Sequence, residues 1–307
     1  MKAIVKSREL ELEFGAPIGL WRTGSGLPVV CLHGWLDNAN SFLPLVQALA
    51  DRIDGLEYIS ADFWGHGHSA HRSRDSRQYF TDLVWFVQSL LDKLQLERVC
   101  LLGHSMGAGA ASLFAGSFPE RVSHLILLDG LGPLSAPAAE TPERLRKALE
   151  ADPLNQGGRI ARKGPRVFPD IESAARIRQQ RTKVSLAAAR LLVERGMRAA
   201  SEIPALGRTD GFVWRHDPRL NEPSMLRLTE EQVLAFLQGI KARTILVQAE
   251  NEQSHHFQQL FAGRLQAIAN LELRPIQGSH HCHMEQPEAV TDLILPVLAD
   301  YLNHAIE

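Results

Sequence analysis

The 307-residue sequence has almost no excess charge of either sign, because 33 lysines and arginines are matched by 35 aspartates and glutamates. A formal net charge of -2 leaves no overall positive field to hold a polyanion, so we expect no nucleic-acid partner. The sequence also lacks any run of about eighteen apolar residues, which predicts that no helix spans a membrane. Charged residues interrupt the first ten positions, so no secretory signal is predicted.

Cysteine is scarce. The three cysteines, Cys31, Cys100 and Cys282, are far apart and show no C-x-x-C spacing, which argues against a disulfide framework. Cys31 and Cys100 lie inside apolar runs, where cysteine behaves as a small buried hydrophobic residue. We therefore expect a reduced, cytoplasmic protein.

Short apolar runs alternate with longer segments of helical periodicity, a pattern typical of parallel strands joined by crossover helices. The predicted strands are Leu27–Leu32, Tyr58–Asp62, Arg98–Gly103, Val122–Leu128, Thr244–Gln248 and Leu271–Ile276. Residues 2–24 predict an antiparallel hairpin at the sheet edge. The predicted helices include Thr81–Leu94, Ala108–Phe118 and one that begins after Thr229 with a capping box. The fold class is therefore α/β.

One long segment, from Gly132 to about Arg227, has helical patterns and no convincing strand. We predict a core domain of residues 1–132 and 228–307, and an all-helical cap of residues 133–227 between two strands. Between residues 140 and 200 the segment carries fourteen basic residues against seven acidic ones. Solvated helix faces explain this excess better than steering of anionic substrates does.

A G-x-S-x-G motif at Gly103–Gly107 directly follows a predicted strand and directly precedes a helix of small residues. A sharp strand-to-helix turn puts Ser105 in a strained conformation above the sheet, and the flanking glycines remove side chains that would clash. The Met106 N–H then lies at a helix N-terminus, where it favours an oxyanion. Ser105 is therefore the predicted nucleophile.

A serine nucleophile needs a base, and the segment Gly278–Pro287 supplies three histidines after the last predicted strand. Ligands of open α/β sheets bind at the carboxyl ends of strands, so His280 is the predicted base, with His281 and His283 as alternatives. We also considered metal binding by His280, His283 and His255–His256. These residues do not show the spacing of carboxylates and histidines that is typical of a metal site. We predict no metal site.

A second oxyanion donor is predicted at the end of the first central strand, where His33, Gly34 and Trp35 follow one another. The Trp35 N–H would oppose the Met106 N–H, and Gly34 lets the chain turn closely past a substrate carbonyl.

Four motifs follow predicted strands in chain order: His33–Trp35, Asp62–Ser69, Gly103–Gly107 and Gly278–His280. Together they resemble the α/β-hydrolase superfamily over nearly the whole chain. Within it, Leu128–Pro133 and His280–Met284 look most like the serine-hydrolase-like group. The resemblance implies an eight-stranded, mostly parallel sheet with helices on both faces and a helical cap after the sixth strand. It also implies that His66 and His68 belong to a structural loop beside the site.

The resemblance allows two positions for the acid of a catalytic triad. Family members usually place the acid after the seventh strand, in a pattern that contains a glycine followed by an aspartate. In this sequence the two positions are occupied by Ala249 and Glu252, so both depart from the pattern. Some haloalkane dehalogenases place it at the end of the sixth strand, where this sequence has Asp129 before Gly130. An apolar run that ends in one lone aspartate favours Asp129, with Glu252 as the alternative.

Similar epoxide hydrolases and dehalogenases attack with an aspartate, whereas Ser105 is a hydroxyl, so we predict acyl transfer. The expected function is hydrolysis of a carboxylic ester of a small-molecule acyl substrate through an acyl-enzyme, with no metal or organic cofactor. Trp35, Phe63 and Trp214 are the predicted substrate-binding side chains. The alternatives are a lactonase, thioesterase or carbon–carbon bond hydrolase, or a hydrolase-fold ligand-binding or signalling protein with little turnover.

Overall fold

The apolar runs of the sequence form the centre of a sheet in a computed structural model, which describes residues 6–11 (backbone only), 16–73, 76–151, 165–250 and 262–304. Its strands are β1 (Lys6–Glu11), β2 (Pro17–Gly24), β3 (Leu27–Leu32), β4 (Leu56–Ala61), β5 (Val99–His104), β6 (Val122–Leu128), β7 (Met197–Ala199), β8 (Phe212–Trp214), β9 (Arg243–Glu250) and β10 (Leu271–Gln277).

The main sheet of the described residues has eight strands in the order β1-β2-β4-β3-β5-β6-β9-β10. The pairs β1–β2 and β2–β4 are antiparallel, and every other pair is parallel. The predicted mostly parallel sheet and the N-terminal hairpin at its edge are both confirmed. Since parallel strands end at one edge of the sheet, residues after β3, β5, β6 and β9 meet there.

Helices cover both faces of the sheet. The helices described here are α1 (Leu43–Ala50), α2 (Asp82–Lys93), α3 (Met106–Ser117), α4 (Thr141–Ala151), α5 (Ile171–Thr182), α6 (Leu186–Gly196), α7 (Glu230–Gln238) and α8 (Pro287–Asn303). Those that pack on the sheet are α1, α2, α3, α7 and α8. Alternate residues of β5 point to opposite faces, so Leu101 joins the core beneath α2, α3 and α7, while Cys100 and Leu102 join the core beneath α1 and α8. This two-sided burial explains why the strands read as continuous apolar runs.

Helix α3 packs tightly on its neighbours because its residues are small. A Cβ on Gly107 would lie 1.9 Å from the Leu32 carbonyl oxygen, and one on Gly116 would lie 2.0 Å from the Phe236 carbonyl oxygen. Glycine at these positions lets backbone approach backbone. The N-terminus of α3 is thereby held directly against the end of β3, where the candidate site begins.

The described part of residues 133–227 contains α4, α5 and α6, and α5 and α6 hydrogen-bond to Leu36 and Asn38 in the loop after β3. The prediction that it is all-helical is wrong, because β7 and β8 form an antiparallel pair within it, extended by a bridge between Phe168 and Phe212. Strands of three residues are too short to show an alternating pattern in the sequence. The domain boundaries at residues 133 and 227 stay a prediction.

Two buried ion pairs join this segment to the sheet. Arg178 of α5 lies 2.5 Å from an Asp37 carboxylate oxygen, and Arg195 of α6 lies 2.8 Å from an Asp62 carboxylate oxygen. Several of the other basic residues make exposed ion pairs with glutamates, among them Arg144, Lys147 and Arg190. The basic residues of this segment that the structure describes thus include both solvated side chains and two inward-facing arginines. In the part of the chain that the structure describes, no helix is both long and apolar enough to cross a membrane.

Candidate active site

Ser105 stands at the turn between β5 and α3, in a backbone conformation that L-residues rarely adopt. Its φ is 51° and its ψ is -114°. A Cβ on Gly103 would lie 2.6 Å from the Ala108 Cα, so the residue types of the motif are required for the turn to close. This strained conformation agrees with the sharp turn predicted at Ser105. Strained backbone conformations of this kind are concentrated at functional sites.

The turn is fixed to the next strand by backbone hydrogen bonds. The Ser105 N–H donates to the Leu128 carbonyl over 3.0 Å, and the Ser105 carbonyl accepts from the Gly109 N–H over 3.0 Å. A Cβ on Gly130 would lie 2.8 Å from the Ser105 carbonyl oxygen, so the chain after β6 passes directly beside the serine. Ser105 and Asp129 are therefore held at the same edge of the sheet.

Asp129 and His280 are in direct contact. The Asp129 Oδ2 lies 2.5 Å from the His280 Nδ1, while the Asp129 Oδ1 accepts the Ala249 N–H over 3.0 Å. The Asp129 N–H donates to the Val247 carbonyl over 2.8 Å, which fixes the backbone of the carboxylate to β9. One oxygen of Asp129 is thus held by the sheet and the other faces the imidazole.

The Asp129 contact governs the protonation of His280. Desolvation lowers the pKa of His280, but the hydrogen bond and the negative charge of Asp129 outweigh it and raise that pKa above the ordinary 6.5. The His280 side chain is still 47% exposed, so it remains open to solvent and to a substrate. A carboxylate on Nδ1 directs the Nδ1 proton toward itself and leaves Nε2 as the basic nitrogen.

The loop after β3 carries the predicted oxyanion donor and is supported by two buried histidines. The His33 Nε2 accepts the Phe63 N–H over 3.0 Å, and the His66 Nε2 accepts the Leu36 N–H over 3.2 Å. Burial lowers the pKa of both His33 and His66, which keeps them neutral and able to accept. The two ring nitrogens of His66 thus hydrogen-bond to backbone groups of Leu36 and Trp64, and its ring packs on His33, as expected of a residue in a structural loop.

Comparisons with known proteins show the family to which this fold belongs. A family model described as the α/β-hydrolase fold matches residues 28–193. The chain is 32% identical over 278 residues to a serine hydrolase-like protein of Dictyostelium discoideum, a match that covers 88% of this chain and 74% of the relative. The chain belongs to the α/β-hydrolase superfamily.

Within the superfamily, this α/β-hydrolase is most like the serine-hydrolase-like group. A serine hydrolase-like protein of Danio rerio is 29% identical over 287 residues, with 91% of this chain and 83% of the relative covered. The crystal structure of a hypothetical protein from Pseudomonas aeruginosa PAO1 superposes with a TM-score of 0.83 at 34% identity, over 97% of this chain and all of that one (100%). These similarities support a hydrolase.

The predicted substrate-binding residues of this α/β-hydrolase lie in different environments. Trp35 is 52% exposed at the strand edge, and its indole N–H donates to the Leu220 carbonyl over 2.9 Å. Trp214 of β8 is half-buried against Phe168. Phe63 is wrongly predicted as a pocket wall, because its side chain is 0% exposed and packs on Phe86 in the core. The sequence does not show to which side of the sheet this side chain turns.

The alternative bases are buried behind the site rather than in it. His283 is fully buried against Phe42 and His104, and His281 is bonded to Asp37 through its Nε2 over 3.2 Å. Of the three histidines, the structure brings only His280 to Asp129. The alternative acid, Glu252, lies outside the described residues.

Sequence reasoning missed the buried polar layer beneath this α/β-hydrolase site. Asp37, His104 and His281 are all buried and offer side-chain atoms within 4.8 Å of one another. Burial lowers the pKa of His104 to about 4, despite the nearby Asp37 carboxylate. The only available signal was that each residue stands within three positions of a recognised motif residue.

Proposed function

We propose that this protein is a serine hydrolase that cleaves carboxylic esters through an acyl-enzyme, with Ser105 as nucleophile, His280 as base and Asp129 as acid. The contact between Asp129 and His280 at the edge occupied by strained Ser105 carries the proposal. This arrangement serves acyl transfer because a neutral imidazole oriented by a carboxylate can accept a hydroxyl proton.

The proposed first half-reaction acylates the serine. The Ser105 hydroxyl oxygen attacks the substrate carbonyl carbon, and its proton passes to the His280 Nε2. The imidazolium formed is stabilised by Asp129. When the tetrahedral intermediate collapses, the bond to the alcohol oxygen breaks and His280 returns the proton to that leaving oxygen.

The second half-reaction repeats the same proton path with water. His280 takes a proton from water as its oxygen attacks the acyl carbon, and the proton is then returned to Ser105 when the ester bond to the serine breaks. Over the whole cycle, one ester and one water molecule give one carboxylic acid and one alcohol. Each protein group ends in its starting state.

The negative oxygen of both intermediates would lie between the N–H groups of Trp35 and Met106. Met106 is the first residue of α3, and the first N–H groups of a helix have no acceptor within the helix. The helix dipole adds a favourable potential at that position. Removal of one such donor typically costs about 10²–10³ in turnover.

We propose the cap, residues 133–227, as the cover of the site, with Trp35 and Trp214 as apolar contacts for the substrate. The indole of Trp35 already bridges from the sheet edge to the Leu220 carbonyl in this segment. Aromatic side chains supply large apolar surfaces with little loss of conformational entropy, which suits an acyl chain of small size.

Turnover of nitrophenyl esters of graded acyl length, measured for the wild type and Ser105→Ala, tests the proposal. Ser117→Ala at the far end of α3 is the control, because the Ser117 hydroxyl donates to the Leu113 carbonyl of the same helix. A fluorophosphonate probe should label the wild type and the control but not Ser105→Ala. Equal ester turnover by Ser105→Ala and the wild type would refute the proposal, and labelling without turnover would favour a binding or signalling protein.

A further inference from the structure

Three metal-ligating side chains from distant parts of the chain converge behind the Ser105 turn. Asp37 follows β3, His104 ends β5 and His281 follows His280. All three are buried, and their side-chain ligand atoms lie within 4.8 Å of one another. None of them takes part in the proposed hydrolysis, so the chemistry of the cluster needs its own explanation.

The spacing of these atoms matches a tetrahedral metal site. The Asp37 Oδ2 lies 3.6 Å from the His104 Nδ1 and 3.2 Å from the His281 Nε2. Zinc binds imidazole nitrogen and carboxylate oxygen at about 2.0–2.2 Å, and in a tetrahedron such bonds separate the ligand atoms by about 3.4 Å. The observed separations bracket that value.

The direction of one hydrogen bond indicates which nitrogen of His104 carries the ring proton. The His104 Nε2 lies 2.9 Å from the His280 carbonyl oxygen, and a carbonyl can only accept, so the proton is on Nε2. In the neutral ring the Nδ1 then carries a lone pair, which faces the Asp37 carboxylate. A metal ion between these two atoms would convert an unfavourable contact into two bonds.

Two further features favour an ion at this place. A Cβ on Gly34 would lie 2.8 Å from the Asp37 Oδ2 and 2.9 Å from the His104 Nδ1, so glycine leaves the space beside both atoms open. The His281 Nδ1 is buried without a hydrogen-bond partner among the described residues. An ion bound at Nε2 would place the His281 ring proton on Nδ1.

We propose that the Asp37 Oδ2, the His104 Nδ1 and the His281 Nε2 bind a divalent transition-metal ion of the zinc class. Arg178 contacts the other Asp37 oxygen, Oδ1, over 2.5 Å and so leaves Oδ2 for the metal while it orients the carboxylate. The earlier prediction of no metal site weighed other histidines, and no sequence spacing links these three residues.

The proposed ion would hold the hydrolytic site in place without joining its chemistry. His104 directly precedes Ser105, and His281 directly follows His280. The ion would thereby join the two backbone segments that carry the proposed nucleophile and base. Because it binds the folded state, it should also raise the melting temperature.

Binding of Zn²⁺ and Co²⁺ to the chelator-treated full chain tests the proposal by calorimetry and by the visible spectrum of Co²⁺. The wild type should bind one equivalent, with a four-coordinate Co²⁺ spectrum. His281→Gln and His104→Gln each keep an N–H donor but lose the imidazole lone pair, and each should weaken binding at least about tenfold. Absence of saturable binding by the folded wild type would overturn the proposal.

Two control variants separate this site from other histidine clusters. His304→Gln removes a ligand from the second described cluster, formed with His124 and Asp300, and His280→Gln removes the Asp129 partner. Both should bind the ion as the wild type does, and loss of binding in either would overturn the proposal. If His281→Gln and His104→Gln fail to fold, the anomalous signal of zinc in a crystal soaked with Zn²⁺ decides. A peak between the three ligand atoms supports the assignment, and a peak elsewhere contradicts it.

Discussion

The Asp129 Oδ2 lies 2.5 Å from the His280 Nδ1, although 151 positions separate the two residues in the chain. The contact forms because β6 ends beside β9, whose Ala249 N–H holds the second oxygen of the carboxylate over 3.0 Å. A short side chain on a strand end, bonded at both oxygens, has little freedom to turn away. This geometry is what the proposed role of Asp129 requires.

The dependence of hydrolysis on pH should report His280. The base must be neutral to accept the Ser105 proton, so kcat/KM should fall as pH falls through the pKa of His280 in the free enzyme. Burial lowers that pKa but Asp129 raises it further, so the acidic limb should have its midpoint above 6.5. A kcat/KM profile from pH 5 to 9 checks this, and a midpoint well below 6.5 would contradict the assigned contact.

Stability should decrease in mild acid because several buried histidines are neutral in the folded state. Burial lowers the pKa of His33, His66, His104 and His283 below 6.5. Below about pH 6.5 the unfolded chain therefore binds more protons than the folded chain, and the free energy of unfolding falls as pH falls. Each such group contributes a slope of up to about 1.4 kcal/mol per pH unit.

Urea unfolding at pH 7 and pH 5 measures this loss of stability. The raised pKa of His280 has the opposite effect, and it offsets at most the contribution of one of these histidines. A free energy of unfolding that is equal at both pH values would show that the four histidines are not held neutral.

The buried pair of Arg195 and Asp62 should contribute strongly to stability. Arg195→Met leaves the Asp62 carboxylate buried without its arginine, while the backbone N–H groups of Ala39 and His68 still donate to it over 2.7 Å and 2.8 Å. Loss of one partner of a buried pair costs about 3–5 kcal/mol. Arg190→Met on the same helix is the control, because that side chain is 49% exposed and solvent screens its pair with Glu172. Chemical denaturation compares them, and equal losses would argue against a special role for Arg195.

Gly107 should not tolerate a methyl group. Its Cβ would lie 1.9 Å from the Leu32 carbonyl oxygen, so Gly107→Ala must push α3 away from β3. Overpacking of this kind costs about 1–3 kcal/mol or more. At Gly263 nothing lies within 4 Å of the added carbon, so Gly263→Ala should leave the melting temperature unchanged or slightly raised. Similar melting temperatures for both variants would show that the approach of α3 is not tight.

The sheet was predictable from the sequence because burial on both faces leaves a strong pattern. The predicted strand Val122–Leu128 agrees with the observed strand at both ends, and Thr229 caps α7 with the predicted capping box. The turn at Ser105 was predictable for a similar reason, since its steric requirements select particular residue types at fixed spacing.

The buried polar contacts were not predictable, because they depend on which distant residues the fold brings together. Asp37 and Arg178 are 141 positions apart, and nothing local distinguishes Arg178 from the exposed arginines around it. The burial of Phe63 was not predictable for a related reason. The end of a strand does not specify to which side of the sheet the following side chain turns. The two short strands β7 and β8 left no periodic pattern.

Turnover of Asp129→Asn and Glu252→Gln on the best ester substrate, with circular dichroism to confirm folding, tests the central claim most directly. The claim is that Asp129 orients His280 for attack by Ser105. Asp129→Asn keeps the shape but removes the charge and the correct tautomer, which in the best-studied triad costs about 10⁴-fold in turnover. We predict a loss of that order for Asp129→Asn and less than about tenfold for Glu252→Gln. A folded, active Asp129→Asn beside an inactive Glu252→Gln would contradict the account.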